Sequence, residues 1–243
     1  MKKTGFVSNL GAQIYFEQVG CGQAIILLHG NRQTHRVFKE QVAFLSQSYQ
    51  VILPDSRGHG HSQMGDEDLN LSLMAQDVHA LVKHLHLGKV ILFGFSDGAN
   101  IALKYASSYP EQVESVVAVS PNAHPSGLKK WFHWSILGMG MMYSLLETIK
   151  LPVRKLHQIT QLMLVSDQLT GEELAKIQAP VLIFTGKQDI IKLEHILEMS
   201  RKVPNAMVMN YENAGHLTLF KDSGKYMEEV EKFLNTKGKL DER

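Results

Sequence analysis

The sequence predicts an α/β fold: a mostly parallel central sheet with helices on both faces, interrupted by a helical insertion. Three observations carry that expectation. Seven short apolar or β-branched segments end in Gly, Pro or polar turns and read as strands. Longer stretches of helical periodicity lie between them, and such alternation builds a parallel sheet covered on both sides. Between about 122 and 176 the alternation stops and strand signals vanish.

Segments 14–19, 24–28 and 51–54 are the first strands. The stretch 71–87 is helical because Leu73, Val78, Leu81, Val82 and Leu85 fall on one face. Strand 89–93 runs into Gly94-Phe95-Ser96-Asp97-Gly98, which opens the helix 99–107, and strand 113–119 follows. The insertion is dominated by Trp131, Phe132, Trp134, Leu137, Met139 and Met142. Strands 181–185 and 206–211 close the pattern, with a helical stretch 193–201 between them. The expected organisation is a core of residues 1–121 and 177–243 carrying a helical lid, 122–176. The uncharged run 131–146 is shorter than the roughly 20 residues a spanning helix needs. Only the tail 237–243 reads as frayed.

A chain of 243 residues with 44% hydrophobic content buries one large core without a second domain. Its 25 basic and 24 acidic residues leave a formal charge of +1, so no global field favours nucleic acid or an anionic membrane. The lone cysteine, Cys21, sits between two glycines with no neighbouring base and reads as an incidental loop thiol. With no intrachain disulfide available and no apolar stretch after Met1-Lys2-Lys3, the expected location is cytoplasmic. No metal or other cofactor is expected. The expected partner is a small-molecule ester, with neither nucleic acid nor membrane, and the oligomeric state is open.

The pentapeptide at Ser96 is a nucleophile elbow: its glycines permit a sharp strand-to-helix turn that exposes the serine hydroxyl at a helix N-terminus. A hydroxyl needs an imidazole to take its proton and a carboxylate to hold that imidazole. In a parallel sheet these follow in the order Ser, Asp, His, in loops after later strands. Asp189 closes the strand 181–185 with its Gly186-Lys187-Gln188 turn, whereas Asp167 falls in the lid and Asp222 follows the best histidine. His216 follows the last strand through Glu212-Asn213-Ala214-Gly215. Its rival His195 belongs to the helical stretch and is expected to be solvated. Backbone N–H groups of Asn31 and Asp97 are the expected oxyanion donors. His29 is expected to anchor its loop, and Trp131, Trp134, Met139 and Met142 to wall the substrate pocket.

His29-Gly30, the stretch Asp55-Ser56-Arg57-Gly58-His59-Gly60-His61-Ser62, the elbow, Gly186-Lys187-Gln188-Asp189 and Gly215-His216 stand in an order that resembles the α/β-hydrolase superfamily over nearly the whole chain. The resemblance implies that the lid varies with substrate and that residues 55–62 are structural. A serine at the elbow argues against alkyl-ester chemistry such as dehalogenation, which needs a carboxylate nucleophile. The expected activity is a serine hydrolase cleaving a small carboxylic ester through an acyl-enzyme on Ser96. Alternatives are a carbon–carbon bond hydrolase of ring-cleavage products, whose dienoate carboxylate would need a lid cation, or a binding protein that keeps the fold without turnover. The elbow also resembles that of hydrolases acting on amino-acid esters, where Asp97 would pair with a substrate ammonium; its blander role is to stabilise the helix N-terminus.

Overall fold

The computed structural model describes residues 2–164, 169–221 and 223–236. Asp167, Asp222 and the tail 237–243 lie outside the described residues. Eight strands form one sheet: β1 (Lys3–Asn9), β2 (Ala12–Val19), β3 (Gln23–Leu28), β4 (Tyr49–Pro54), β5 (Val90–Phe95), β6 (Val113–Val119), β7 (Val181–Gln188) and β8 (Ala206–Gly215). Their order is β1-β2-β4-β3-β5-β6-β7-β8. The β1–β2 hairpin is antiparallel, as is β2 against β4, and every other pairing is parallel.

The helices are α1 (Lys39–Leu45), α2 (Leu71–His84), α3 (Asp97–Ser108), α4 (Lys130–Thr148), α5 (Arg154–Gln161), α6 (Gly171–Ala175), α7 (Leu193–Ser200), α8 (Thr218–Lys221) and α9 (Ser223–Asn235). Among the described residues, no helix is long and apolar enough to cross a membrane.

Because side chains alternate across a strand, each central strand feeds both layers. Ile26, Leu28, Leu92 and Val116 pack under α2 and α3, against Val78, Leu81 and Leu103. Ile25, Leu27, Phe93 and Val117 face the other way, onto Phe38, Met227, Val230 and Phe233. The sheet is thus buried on both faces, as its continuous apolar runs require.

Three differences from the sequence reading matter. Strand β1 was not expected: it is an edge strand in which only Val7 is buried, so it shows no apolar run. Strands β7 and β8 both extend further than the reading, to a Gln188↔Gly215 pairing past a register shift. The segment 122–176 holds α4, α5 and α6, but α6 packs on the core, where Lys104 Nζ meets Glu173 Oε1 at 2.6 Å and Leu174 joins the apolar layer.

Candidate active site

Strand β5 delivers Ser96 at its carboxyl end, in a left-handed backbone conformation (φ 54°) that non-glycine residues rarely adopt. The turn is held by the Ser96 N–H, which donates to Val119 O at 2.8 Å. It is also closed against other backbone: a Cβ on Gly94 would collide with Gly98 and Ala99, and one on Gly98 with Leu28 and His29. The strained serine is therefore imposed by its surroundings, as local strain at a site requires.

The extended β7–β8 ladder sets the next two groups. With Gln188 paired to Gly215, Asp189 and His216 are the first residues beyond adjacent strand ends. His216 Nδ1 stands 2.7 Å from Asp189 Oδ1, and His216 Nε2 stands 3.2 Å from Ser96 Oγ. The Phe95 ring packs on the imidazole with centroids 4.9 Å apart. Asp189 is buried and further bonded: Ser120 Oγ donates to Oδ2, and the Ile191 N–H to Oδ1 at 3.0 Å. Burial pushes the Asp189 carboxyl up, but the bonds from His216, Ser120 and Ile191 outweigh it and hold the group below its ordinary value. Asp189 is thus kept as the anion that orients an Nδ1–H and leaves Nε2 free to accept from Ser96.

Ser120 was not anticipated. It sits at the carboxyl end of β6, the strand between β5 and β7, and its position there is the one signal available in sequence.

The loop after β3 lies directly against the elbow. A Cβ on Gly30 would stand 3.2 Å from Ser96 Cβ and 3.1 Å from Phe95 Cδ1, so the approach depends on glycine. Its turn is closed by the Gln33 N–H donating to Gly30 O at 3.2 Å and by Gly30 N–H donating to Gln33 Oε1 at 3.0 Å. Asn31 follows, and its side chain donates to Asp97 Oδ2 (2.7 Å) and to Ile159 O of α5 (2.8 Å). Asp97 heads α3, where a first-turn N–H has no intrahelical acceptor. Burial raises the Asp97 carboxyl above its ordinary value, although the Asn31 bond opposes the shift.

Arg32, next along the loop, has φ 57° and reaches the helices of the insertion. Its Nη2 donates to Thr160 Oγ1 at 2.9 Å and Tyr143 OH at 3.3 Å, and lies 2.9 Å from Met139 Sδ. Below it, the Arg32 N–H donates to His59 Nε2 at 3.2 Å. His29 is bonded on both nitrogens, with Nδ1 2.9 Å from Gly30 O and Nε2 accepting from Ser56 N–H at 2.9 Å. Burial, with His59 adding to it, lowers the His29 ring to about 4. Asp55, Arg57 and His61 are engaged away from Ser96: Asp55 accepts from His35 and from the His61 N–H, and Arg57 pairs with Asp77 of α2.

A cavity of about 30 Å³ adjoins Ser96 and Asp97, roughly the space of one water molecule. Its apolar wall includes Leu128, Phe132, Leu162, Met163 and Ile191. Trp131, Trp134, Met139 and Met142, expected in that wall, are not part of it. Helix α4 turns Ile136, Gly140 and Tyr143 inward and leaves Trp131, Trp134 and Met142 exposed, while Met139 meets Arg32. His195 is also corrected: it is half-buried, its ring lying over the space beside Gly127, so Gly127 has no room for a side chain. Burial lowers its ionisation. Among the described residues no group of three or more His, Cys, Asp or Glu side chains is arranged to hold a metal ion.

A nucleophile elbow at the end of a central parallel strand, with an acid and an imidazole on the two strand ends beyond it, defines a class of fold and site. The chain belongs to the α/β-hydrolase family, whose model, described as alpha/beta hydrolase fold, matches residues 23–175. It is 25% identical to the AB hydrolase superfamily protein YisY of Bacillus subtilis (strain 168), over 92% of this chain and 96% of that protein. Two solved structures share the fold at 19% identity. Naproxen esterase (carboxylesterase NP) from Bacillus subtilis has a TM-score of 0.79, covering 96% of this chain and 92% of its own. A meta-cleavage product hydrolase from Pseudomonas fluorescens IP01 has a TM-score of 0.78, covering 96% and 97%.

Proposed function

We propose that this protein is a serine hydrolase acting on a small carboxylic ester. The reading rests on the Asp189–His216–Ser96 chain of contacts, 2.7 and 3.2 Å long, with Asp189 and His216 at the ends of the adjacent strands β7 and β8 and Ser96 at the end of β5. Ser96 Oγ attacks the ester carbonyl while His216 Nε2 takes its proton. Asp189 holds the imidazole and stabilises the imidazolium. The carbonyl oxygen becomes negative and is met by the backbone N–H groups of Asn31 and Asp97. Collapse expels the alcohol, which leaves with the proton from His216, and water then repeats the sequence on the acyl-enzyme. The insertion, with α4 and α5 over the cavity, acts as the lid.

An ester is favoured over a ring-cleavage product by the cavity itself. A dienoate carboxylate needs a cation, and neither Lys nor Arg stands in the described wall. Lys129 reaches Lys187 O, and Arg154 reaches Asp66 O and Asp68. The amino-acid ester reading is weakened by Asn31, which already donates to Asp97.

The test is intact mass after exposure to a fluorophosphonate, with turnover of p-nitrophenyl esters measured in parallel. One adduct on the wild type, absent from Ser96→Ala together with turnover, is the expected result. Folded wild type that forms no adduct would overturn the reading and point to a binding protein of the same fold.

A further inference from the structure

Helix α4 carries an apolar face that nothing among the described residues covers. Trp131, Trp134, Met141, Met142, Leu145 and Ile149 are each 47% to 67% exposed. At 3.6 residues per turn they fall within an arc of about 100°, opposite the buried Ile136, Gly140 and Tyr143. Leu151 and Leu156, just beyond, are exposed as well. Contiguous apolar surface on this scale marks a place where something docks.

The charges around the face say what. Lys130 at the start of α4, and Lys150 and Lys155 beyond its end, are exposed and make no ion pair among the described residues. No acidic residue stands in the first turn of α4, and Lys129 and Lys130 lie where the helix dipole disfavours a cation. Glu147, the acidic residue of this helix, faces away and meets His157 Nδ1 at 3.0 Å. Lysines therefore stand at both ends of the face, those at the far end lying near Asp68, which pairs with Arg154. Packed against a second copy in either direction, the face would set lysine on lysine, whereas an anionic surface satisfies both ends together.

We infer that this face of α4 docks on anionic lipid bilayers, lying in the plane of the headgroups. Tryptophan near one end, an apolar stripe and flanking lysines are the elements that hold a helix in that plane. The near-neutral whole-chain charge and the shortness of the apolar run, from which no membrane partner was expected, are blind to such a face. On its inner side the same helix places Met139 and Tyr143 against Arg32, so a docked α4 would sit directly between lipid and the loop beside Ser96.

Trp131 and Trp134 are the two tryptophans of the chain, so intrinsic fluorescence reports on this face without a label. Phosphatidylcholine vesicles containing phosphatidylglycerol are expected to shift the emission to the blue, and brominated acyl chains to quench it. High salt should release the wild type, since exposed charges are then screened. Lys130→Glu/Lys150→Glu should partition at least about tenfold more weakly, given about 1 kcal/mol per basic residue at such a surface. Met141→Ser/Leu145→Ser should lose binding with an unchanged far-UV spectrum. Equal partition onto pure phosphatidylcholine, or no shift on either vesicle, would overturn the inference. So would a lipid-free, concentration-dependent dimer in sedimentation that Met141→Ser/Leu145→Ser dissolves, which would make a second copy the occupant. The readout does not depend on whether Ser96 turns over an ester.

Discussion

Asn31 Nδ2 donates to Asp97 Oδ2 across 2.7 Å, and through that bond the loop after β3 and the head of α3 hold each other in place. These are the two residues whose N–H groups are proposed to meet the oxyanion. Removing the bond frees both donors at once, so the effect belongs on turnover more than on substrate affinity. Asn31→Ala is expected to lower kcat about 10- to 100-fold. In a double-mutant cycle, Asn31→Ala and Asp97→Ala should couple by roughly 1–3 kcal/mol. Cationic and neutral esters should suffer alike; a loss confined to cationic esters would assign Asp97 to a substrate ammonium instead.

Arg32 ties the same loop to the insertion through Thr160, Tyr143 and Met139. Arg32→Gly keeps the left-handed backbone, which glycine adopts freely, and deletes only the tie. We expect kcat to fall about tenfold with little change in melting temperature, because positioning and not folding is lost. Proteolytic cleavage within α4 and α5 should quicken in parallel. Lysine at this position should not rescue, since its ammonium is more strongly hydrated than a guanidinium and loses more on leaving water for this contact.

The cavity at Ser96 is narrow and closed by the apolar side chains of Leu128, Phe132, Leu162 and Met163. Along a series of p-nitrophenyl esters, kcat/KM should drop at least about tenfold between butyrate and octanoate, a pocket of fixed volume losing 1–3 kcal/mol per misfitted group. Leu162→Ala opens the wall and should move the optimum to longer chains. A flat profile in the wild type would show that α5 moves aside on binding.

His29 predicts a pH window. Its ring is lowered from an ordinary 6.5 to about 4, so the folded protein holds fewer protons there than the unfolded chain. The contribution is present above pH 6.5 and is lost as pH falls towards 4; a shift of this size is worth on the order of 3 kcal/mol. His29→Gln supplies an acceptor for the Ser56 N–H that does not titrate. Its melting temperature should therefore decline less steeply than the wild type's between pH 7 and pH 4.5, and parallel curves would contradict the assignment.

How far the sequence is readable depends on what each position asks of its residue. The elbow is readable because only glycine fits where Gly94 and Gly98 meet neighbouring backbone. Asp189 and His216 were found by chain order, but their contact depends on a register shift that carries β7 and β8 past Gly186, and no residue type announces it. Strand β1 is hidden because an edge strand with one buried side chain carries no apolar run. The cavity wall was misread for the opposite reason. Helix α4 is apolar nearly all round, so periodicity could not tell the inward Ile136 and Tyr143 from the outward Trp131 and Trp134. His195 went unrecognised because its burial comes from Gly127, a residue far away in the chain that leaves room for the ring.

The Gln188↔Gly215 pairing seats the proposed acid and base on the sheet, with no hydrogen bond from α4 or α5 to either among the described residues. The architecture is therefore a socket with a short specification. A foreign segment grafted between Ser120 and α6 would inherit the proposed proton relay, with the Ser120 bond to Asp189 kept. To seat the loop beside Ser96 it would have to bring only two features: a backbone carbonyl where Ile159 now faces Asn31, and an acceptor where Thr160 now faces Arg32. Under the proposed function, substrate range can drift widely within that constraint while the reacting centre stays unchanged.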